Sequence, residues 1–256
     1  MSEIPISKHF ENYFEIVLAH TPKLQEQIYR IRYDVYCREF QFESEEKYPY
    51  GLEQDHYDQY SLHCLVRHKV SKAPAGCVRL IKISQKEPAL KLPIERFCGD
   101  SLYHDTLHPS LLPRSSICEI SRLAVHTAFR RRRGESASPF VSHYENLTDN
   151  ATEEELRTFP LISIALIAAS TSLMLIAERP NLFIMVENWL ARLLRRVGLG
   201  FTQVGRVIDY HGPRAAYYIT AEEMVNGMKG ELREIYGFVH GSLTSEAEHT
   251  DSDLRN

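Results

Sequence analysis

The sequence predicts an α+β (mixed α/β) fold: one domain whose central mixed sheet of about seven strands is flanked by helices. Three observations lead there. Short β-compatible runs such as "SLHCLVRH", "GCVRLIKIS" and "LFIMVE" are interleaved with longer runs of helical spacing. Strands cluster in antiparallel-looking pairs instead of following a strict βαβ rhythm. The 256 residues suffice for one sizeable core, and no segment repeats. The domain is expected to span residues 1–240, and the polar stretch 241–256 to be a disordered tail.

The elements follow in order. "YFEIVLAHT" is an opening strand, after which Thr21-Pro22 occupies the preferred cap and first-turn positions of a helix. That helix, "PKLQEQIYRIRYDVYCREF", carries Leu24, Ile28, Ile31 and Val35 at helical spacing. A polar loop, "QFESEEKYPYGLEQDHYDQY", leads to "SLHCLVRH" and "GCVRLIKIS", which read as a β-hairpin around "KVSKAPA". An irregular connection through "PIERF" precedes the strand "CEISRLAV", and a long polar segment follows it. Next come the helix from Phe159, the strand "LFIMVE", and the helix "NWLARLLRRVGL" ending near Gly198. "FTQVGRVID" and "RAAYYIT" are strands joined by the turn "YHGP", and "AEEMVNGMKGELREIYGFV" is a terminal helix weakened by Gly227 and Gly230.

Composition excludes several classes. A net charge of -4 is incompatible with a generally basic nucleic-acid binder. The five cysteines are odd in number and never form a CxxC pair, which predicts reduced, buried thiols and no metal site. "MSEIPISKHFENYF" has neither a basic n-region nor an apolar h-region, so a cytoplasmic protein without a secretory signal is expected. "FPLISIALIAASTSLMLIA" is long enough to span a bilayer, yet it carries Ser163, Ser170, Thr171 and Ser172 and runs straight into a strand. A buried core helix is the reading, with contact at a membrane surface as its alternative.

Charges stand where a plain core would not place them. Arg79 interrupts "CVRLI", and Glu119 and Arg122 interrupt "CEISRLAV". Buried guanidiniums need carboxylates, and Asp55 and Asp58, from the acidic set Glu53, Asp55 and Asp58 of "LEQDHYDQY", supply them together with Glu119. Residues three apart on a regular strand face opposite ways. A β-bulge or a splay at this stretch would bring Glu119 and Arg122 to one face, with Arg122 near Asp55 or Asp58. Arg32 in "IYRIRYD" either joins this set or sits on the wet face of its helix.

The order R-x-x-x-Y, D-x-x-D, V-R-L and E-x-x-R-L-A-V resembles the acyl-homoserine-lactone synthases and the N-acyl amino acid synthases of the Gcn5-related N-acetyltransferase (GNAT) superfamily. "FENYFEIVLAHT", "YRIRYDVYCREFQFE", "GLEQDHYD", "PIERF" and "VIDYHGPRAAYY" bring it closer still to the PEP-CTERM/exosortase-associated acyltransferases. The resemblance runs from about Phe10 to Thr220. It implies a GNAT fold and transfer of a fatty acyl group from a thioester to the amine of a small acceptor, first of all an amino acid. It places Arg32, Tyr36, Asp55, Asp58, Arg79, Glu119 and Arg122 in the shared site, with Glu119 as a base. Arg79 and Arg122 would orient that base or bind an acceptor carboxylate. Tyr210 and His211 would be a leaving-thiolate acid or a site wall.

Val125, Arg131, Gly134 and Ser136 fall at donor-binding positions, "RRRGES" matching the superfamily's pyrophosphate loop except at Ser136. That departure, with the long insertion after it, favours an acyl carrier protein over coenzyme A as donor. Such an acidic partner would dock on Arg130 to Arg133 and on Arg192, Arg195 and Arg196. Tyr36 stands where the lactone synthases carry Phe, and Trp189, the sole Trp, lies far from where theirs usually stands. The alternatives are a lactone synthase using S-adenosylmethionine and a silent acyl-ligand-binding regulator.

Overall fold

The computed structural model describes residues 5–83, 87, 89–130 and 152–249. One sheet of eight strands organises it: β1 (Phe14–Leu18), β2 (Ser61–His68), β3 (Pro74–Lys82), β4 (Ile117–Val125), β5 (Asn181–Glu187), β6 (Thr202–Gln203), β7 (Ile208–Asp209) and β8 (Pro213–Thr220). The strand order is β1-β2-β3-β4-β5-β8-β6, with β7 also pairing β8. All neighbours are antiparallel except β4 and β5. The expected mixed α+β architecture is present, with eight strands instead of seven. The extra strand arises because "FTQVGRVID" breaks at Val204–Arg206 into two short pieces, β6 and β7. Gly205 sits there because an added Cβ would fall 2.8 Å from that of Ala216.

The helices are α1 (Ile6–Tyr13), α2 (Pro22–Arg32), α3 (Pro93–Phe97), α4 (Glu153–Leu156), α5 (Phe159–Ile176), α6 (Asn188–Arg196), α7 (Ala221–Gly227) and α8 (Gly230–His249). Thr21 caps α2 as anticipated, its Oγ1 accepting from Leu24 N–H. Beyond Arg32 the helix widens into a π-turn, Tyr33–Glu39. The single terminal helix expected from Ala221 is two. Gly198 and Gly227 meet so closely that a Cβ on Gly198 would lie 1.7 Å from the Gly227 carbonyl oxygen, and the chain turns at Met228. Residues 241–249, expected to belong to a disordered tail, continue α8, whose Leu243 is fully buried and whose Glu246 accepts from Leu18 N–H. Residues 250–256 lie outside the described ones.

α5 covers one face of the sheet. Its core partners on β2, β3 and β4 include Cys64, Val66, Val78, Leu80, Cys118 and Val125. At Gly76 the helix comes so close that a Cβ would sit 3.0 Å from Leu166 Cδ1 and 3.1 Å from Ile162 Cγ2. Among the described residues α5 is the one helix long and apolar enough to cross a bilayer, and 67% of it is buried inside the protein. Its Ser170 and Ser172 hydroxyls donate to the carbonyls of Leu166 and Ala168, one turn back. That back-bonding makes buried serines cheap in this helix. α2 covers part of the opposite face through Ile28 and Ile31, which pack with Leu65, Cys77 and Ala124. All five cysteines are free and buried, as expected.

Two irregularities in β4 prepare the site. Cys77 pairs with Ala124 and Arg79 with Ser121, so Arg122 and Leu123 together oppose the single residue Val78. Arg122 has φ 52°, the left-handed conformation of a bulge residue. The bulge shifts the strand's alternation: Ser121 and Ala124, three apart, both serve the α2 face, while Ile120 and Val125 both serve the α5 face. The second irregularity is a gap. β4 and β5 pair only through Ile117–Asn181, Cys118–Leu182 and Glu119–Phe183, and beyond Glu119 the two parallel strands are no longer joined.

Candidate active site

Where the gap opens, the α2 face carries six interlocked charges. Arg32 donates from Nε to Glu53 and from Nη1 to Asp58 at 2.6 Å. Arg79 donates to Asp55 at 2.7 Å, to Asp58 at 2.8 Å and, through Nε, to the Ser121 hydroxyl at 3.0 Å. Arg122 reaches Glu53 at 3.1 Å, with Asp55 at 3.5 Å and Glu43 at 3.7 Å. Three guanidiniums thus face Glu53, Asp55 and Asp58, so the buried set is neutral. Burial alone would raise these carboxyls, but Arg32 and Arg122 hold Glu53 below its ordinary range and Arg32 and Arg79 hold Asp58 well below. His63, also buried, is pushed by that burial down to about 4 and stays neutral.

These contacts decide several expectations. Arg32 is fully buried, not on a wet helix face, because α2 lays it directly over the Glu53 and Asp58 carboxylates. Arg79 is 1% exposed, with Nε on Ser121 and Nη1 on Asp55 and Asp58, so it is too buried to meet an acceptor carboxylate. Arg122 keeps 22% of its side chain exposed and lies over the Tyr36 ring, 5.3 Å from its centroid. The bulge and the proximity of Arg122 to Asp55 are both present. The carbonyls of the two bulged residues are occupied, Arg122's by the Cys77 thiol at 3.7 Å and Leu123's by the Tyr36 hydroxyl at 2.9 Å.

Glu119 occupies the last rung before the gap. It is 4% exposed and accepts from Ile94 N–H at 2.9 Å, so α3 is what positions it. Burial pushes its carboxyl up to about 8 in spite of that N–H and of Arg79. Tyr210 lies within the field of Arg122, Cys98 and Glu119. A chain of rings runs alongside: Phe40 on Phe42 (5.4 Å), Phe42 on His211 (4.7 Å), His211 against Tyr210 (5.1 Å) and Tyr210 on Phe97 (6.5 Å). It ties the end of the π-turn to the β7–β8 turn, where His211 has φ 53°.

The donor-side positions divide differently. Val125 pairs with Gly76, and its carbonyl accepts from Arg130 Nε at 2.8 Å. Arg130 is also paired with Glu39 and stacked on Phe40, so it braces the π-turn instead of presenting a free charge. Arg131, Gly134 and Ser136, with Arg132 and Arg133, lie outside the described residues. On α6, which starts at the open end of β5, Trp189, Arg192, Leu193, Arg195 and Arg196 are exposed. No group of three or more His, Cys, Asp or Glu residues suited to a metal occurs among the described residues.

Sequence reasoning placed Glu53 in the acidic set but gave it no role, although it is the hub between Arg32 and Arg122. Matching three arginines to three carboxylates would have found it. Phe42, Glu43 and the Ile94 amide were missed because nothing in their local sequence announces a contact across the cleft.

Residues 31–138 match the family model of the acetyltransferase (GNAT) domain. No curated protein matches the chain by sequence. The fold is similar to that of the AHL synthase LasI, at 14% identity and TM-score 0.54, covering 85% of this chain and 98% of that one. It is similar too to BjaI, a CoA-dependent acyl-homoserine lactone synthase solved with SAM and isopentyl-CoA (16% identity, TM-score 0.53, 90% and 89% covered). FeeM, an N-acyl amino acid synthase from uncultured soil microbes, matches at 12% identity and TM-score 0.51, with 84% and 94% covered. Residues 31–138 thus carry the match to a GNAT acetyltransferase domain, and most of the chain has a fold similar to those of the acyl-transferring synthases.

Proposed function

We propose that the protein is an N-acyltransferase that moves a fatty acyl group from a thioester to the amine of a small acceptor, an amino acid, giving an N-acyl amino acid. The observation that carries this reading is the pairing of a strand gap with a buried carboxyl at its apex. The gap begins immediately after the Glu119–Phe183 pair, and Glu119 is the titratable group beside it.

In this reading the acceptor reacts as its free amine, an ammonium having first lost a proton to solvent, and the Glu119 carboxylate takes the proton that nitrogen sheds as it attacks the thioester carbonyl. The C–N bond forms, the C–S bond breaks, and the thiolate leaves with a proton supplied by Tyr210 or solvent. A bulge withdraws backbone groups from the ladder, and both bulge carbonyls are already occupied. An N–H at this point is our choice of donor to the tetrahedral oxyanion. Arg122, not Arg79, offers its exposed edge to the acceptor carboxylate. Arg32, Asp55, Asp58 and Arg79 hold β4, the π-turn and the acidic loop in register and do not touch substrate.

The donor is a fatty acyl thioester on an acidic acyl carrier protein, with acyl-coenzyme A as the other source. Arg192, Arg195 and Arg196, exposed on the helix that follows β5, suit the acidic carrier by charge. The test is product analysis by mass spectrometry with purified enzyme, acyl carrier protein and acyl-CoA donors, and mixed amino acids. N-acyl amino acids are expected. Lactone formed only with S-adenosylmethionine would replace this reading by a lactone synthase, and no thioester consumption with any amine would replace it by a silent binding protein.

A further inference from the structure

The acceptor wall contains a carboxylate outside the charge-balanced set. Glu43 follows Phe42 in the loop after the π-turn, and both backbone N–H groups donate to the Tyr36 carbonyl, at 2.8 Å from Phe42 and 3.2 Å from Glu43. That double anchor fixes where the Glu43 side chain starts. One of its oxygens accepts from Lys47 at 3.1 Å, across one helical-type step on the surface. The other faces the Arg122 guanidinium at 3.7 Å, too far for a hydrogen bond. Glu43 and Arg122 are exposed to nearly the same degree, 23% and 22% of their side chains, whereas Glu53 and Arg32 beneath them are at 0%. Opposite charges that are adjacent, open to solvent and not hydrogen-bonded to each other are the complement of a zwitterion.

The surroundings narrow the ligand further. Phe42 stacks on His211, and Arg214 lies over Phe42 at 5.5 Å, so the same segment that carries Glu43 is clamped to the β7–β8 turn. Tyr36 forms the floor beneath Arg122. The titratable and charged groups near Glu43 are therefore Arg122 from β4, Cys37 from the π-turn, Lys47 and Tyr48 from its own loop, and Tyr210 and His211 from the β7–β8 turn. An α-amino acid places its ammonium and carboxylate a single carbon apart, which matches two receptor charges lying side by side.

We propose that Glu43 is the receptor for the acceptor's ammonium group, and that Glu43 and Arg122 together select an α-amino acid zwitterion over amines lacking a carboxylate. This deepens the acceptor assignment made above and rests on it. Glu43 binds substrate and does not perform the proton transfer, so its loss acts on acceptor affinity. Neutralising it removes one charge-assisted hydrogen bond, which corresponds to about a ten-fold rise in acceptor KM.

The experiment is steady-state kinetics of the full chain with a saturating dodecanoyl thioester and three acceptor classes: α-amino acids, their α-amides, and simple alkylamines. Expected for Glu43→Gln is a roughly ten-fold higher KM for α-amino acids with an unchanged donor KM. Glu43→Asp should recover part of the loss. Thermal unfolding of each variant separates binding from folding, and Glu43→Asp carries the test if the Gln variant does not fold. An acceptor KM unaltered in Glu43→Gln, or wild-type turnover equal on amino acids and alkylamines, would overturn the proposal while leaving acyl transfer intact. A wild type inert toward all three classes would overturn the acyltransferase reading, and this inference with it.

Discussion

The two faces of the central sheet are held by opposite means. On the α5 face, Gly76, Val78, Leu80, Cys118 and Val125 meet Ile162, Leu166 and Ala169 without a charge between them. On the α2 face the same strands present Arg79, Ser121 and Arg122 to Arg32, Glu53, Asp55 and Asp58. Apolar area stabilises without direction, whereas hydrogen-bonded guanidinium–carboxylate pairs fix positions but contribute little net stability once desolvation is counted. The α5 face therefore supplies cohesion, and the α2 face supplies geometry: it keeps β4 bulged at Arg122 and aims Glu119 and Arg122 at one side.

Breaking the charged face should have the largest effect. Glu53→Ala leaves Arg32 buried with one carboxylate and frees Arg122, at a cost of about 3–5 kcal/mol by denaturant unfolding. Leu166→Ala on the other face should cost about 3 kcal/mol, through a cavity. The two should separate on function, since the first also loses acyl transfer and the second retains it in the folded fraction.

pH should distinguish the faces next. Glu53, Asp55 and Asp58 have lowered pKa values, so their stabilisation is present above the ordinary carboxylate range and disappears as pH falls below about 4. Glu119 acts in the opposite sense. Its folded carboxyl at about 8 keeps a proton that the unfolded chain releases near 4.5, so its contribution declines as pH rises between these values. Glu119→Gln should flatten that slope and leave the acid limb in place, as read from unfolding midpoints across pH. The smallest effect belongs to Tyr36→Phe, which deprives the Leu123 carbonyl of its donor and should cost about 1 kcal/mol.

The fold was largely legible because periodicity reports burial. The β2–β3 hairpin, the cap of α2 and the interior nature of α5 all follow from local pattern. The bulge was legible for a rarer reason: Glu119 and Arg122 stand three apart in a strand that offers no charge-neutral way to bury opposite faces. The π-turn, the break at Gly227 and the Phe42–His211 stack were not, since each depends on a neighbour distant in sequence. Arg130 illustrates the limit in reverse. Within a run of four arginines it looks like part of a docking patch, yet Glu39 and Phe40 engage it.

In the proposed mechanism Glu119, raised by burial at the apex of the gap, accepts the acceptor's proton. The direct measurement is the pH dependence of kcat for amine acylation in the wild type and in Glu119→Gln, at saturating donor and acceptor. The wild-type rate should climb with pH and level near 8, and the Gln variant should be slower by about 10²–10⁴-fold and lack this inflection. The same inflection and a comparable rate in both proteins would contradict it.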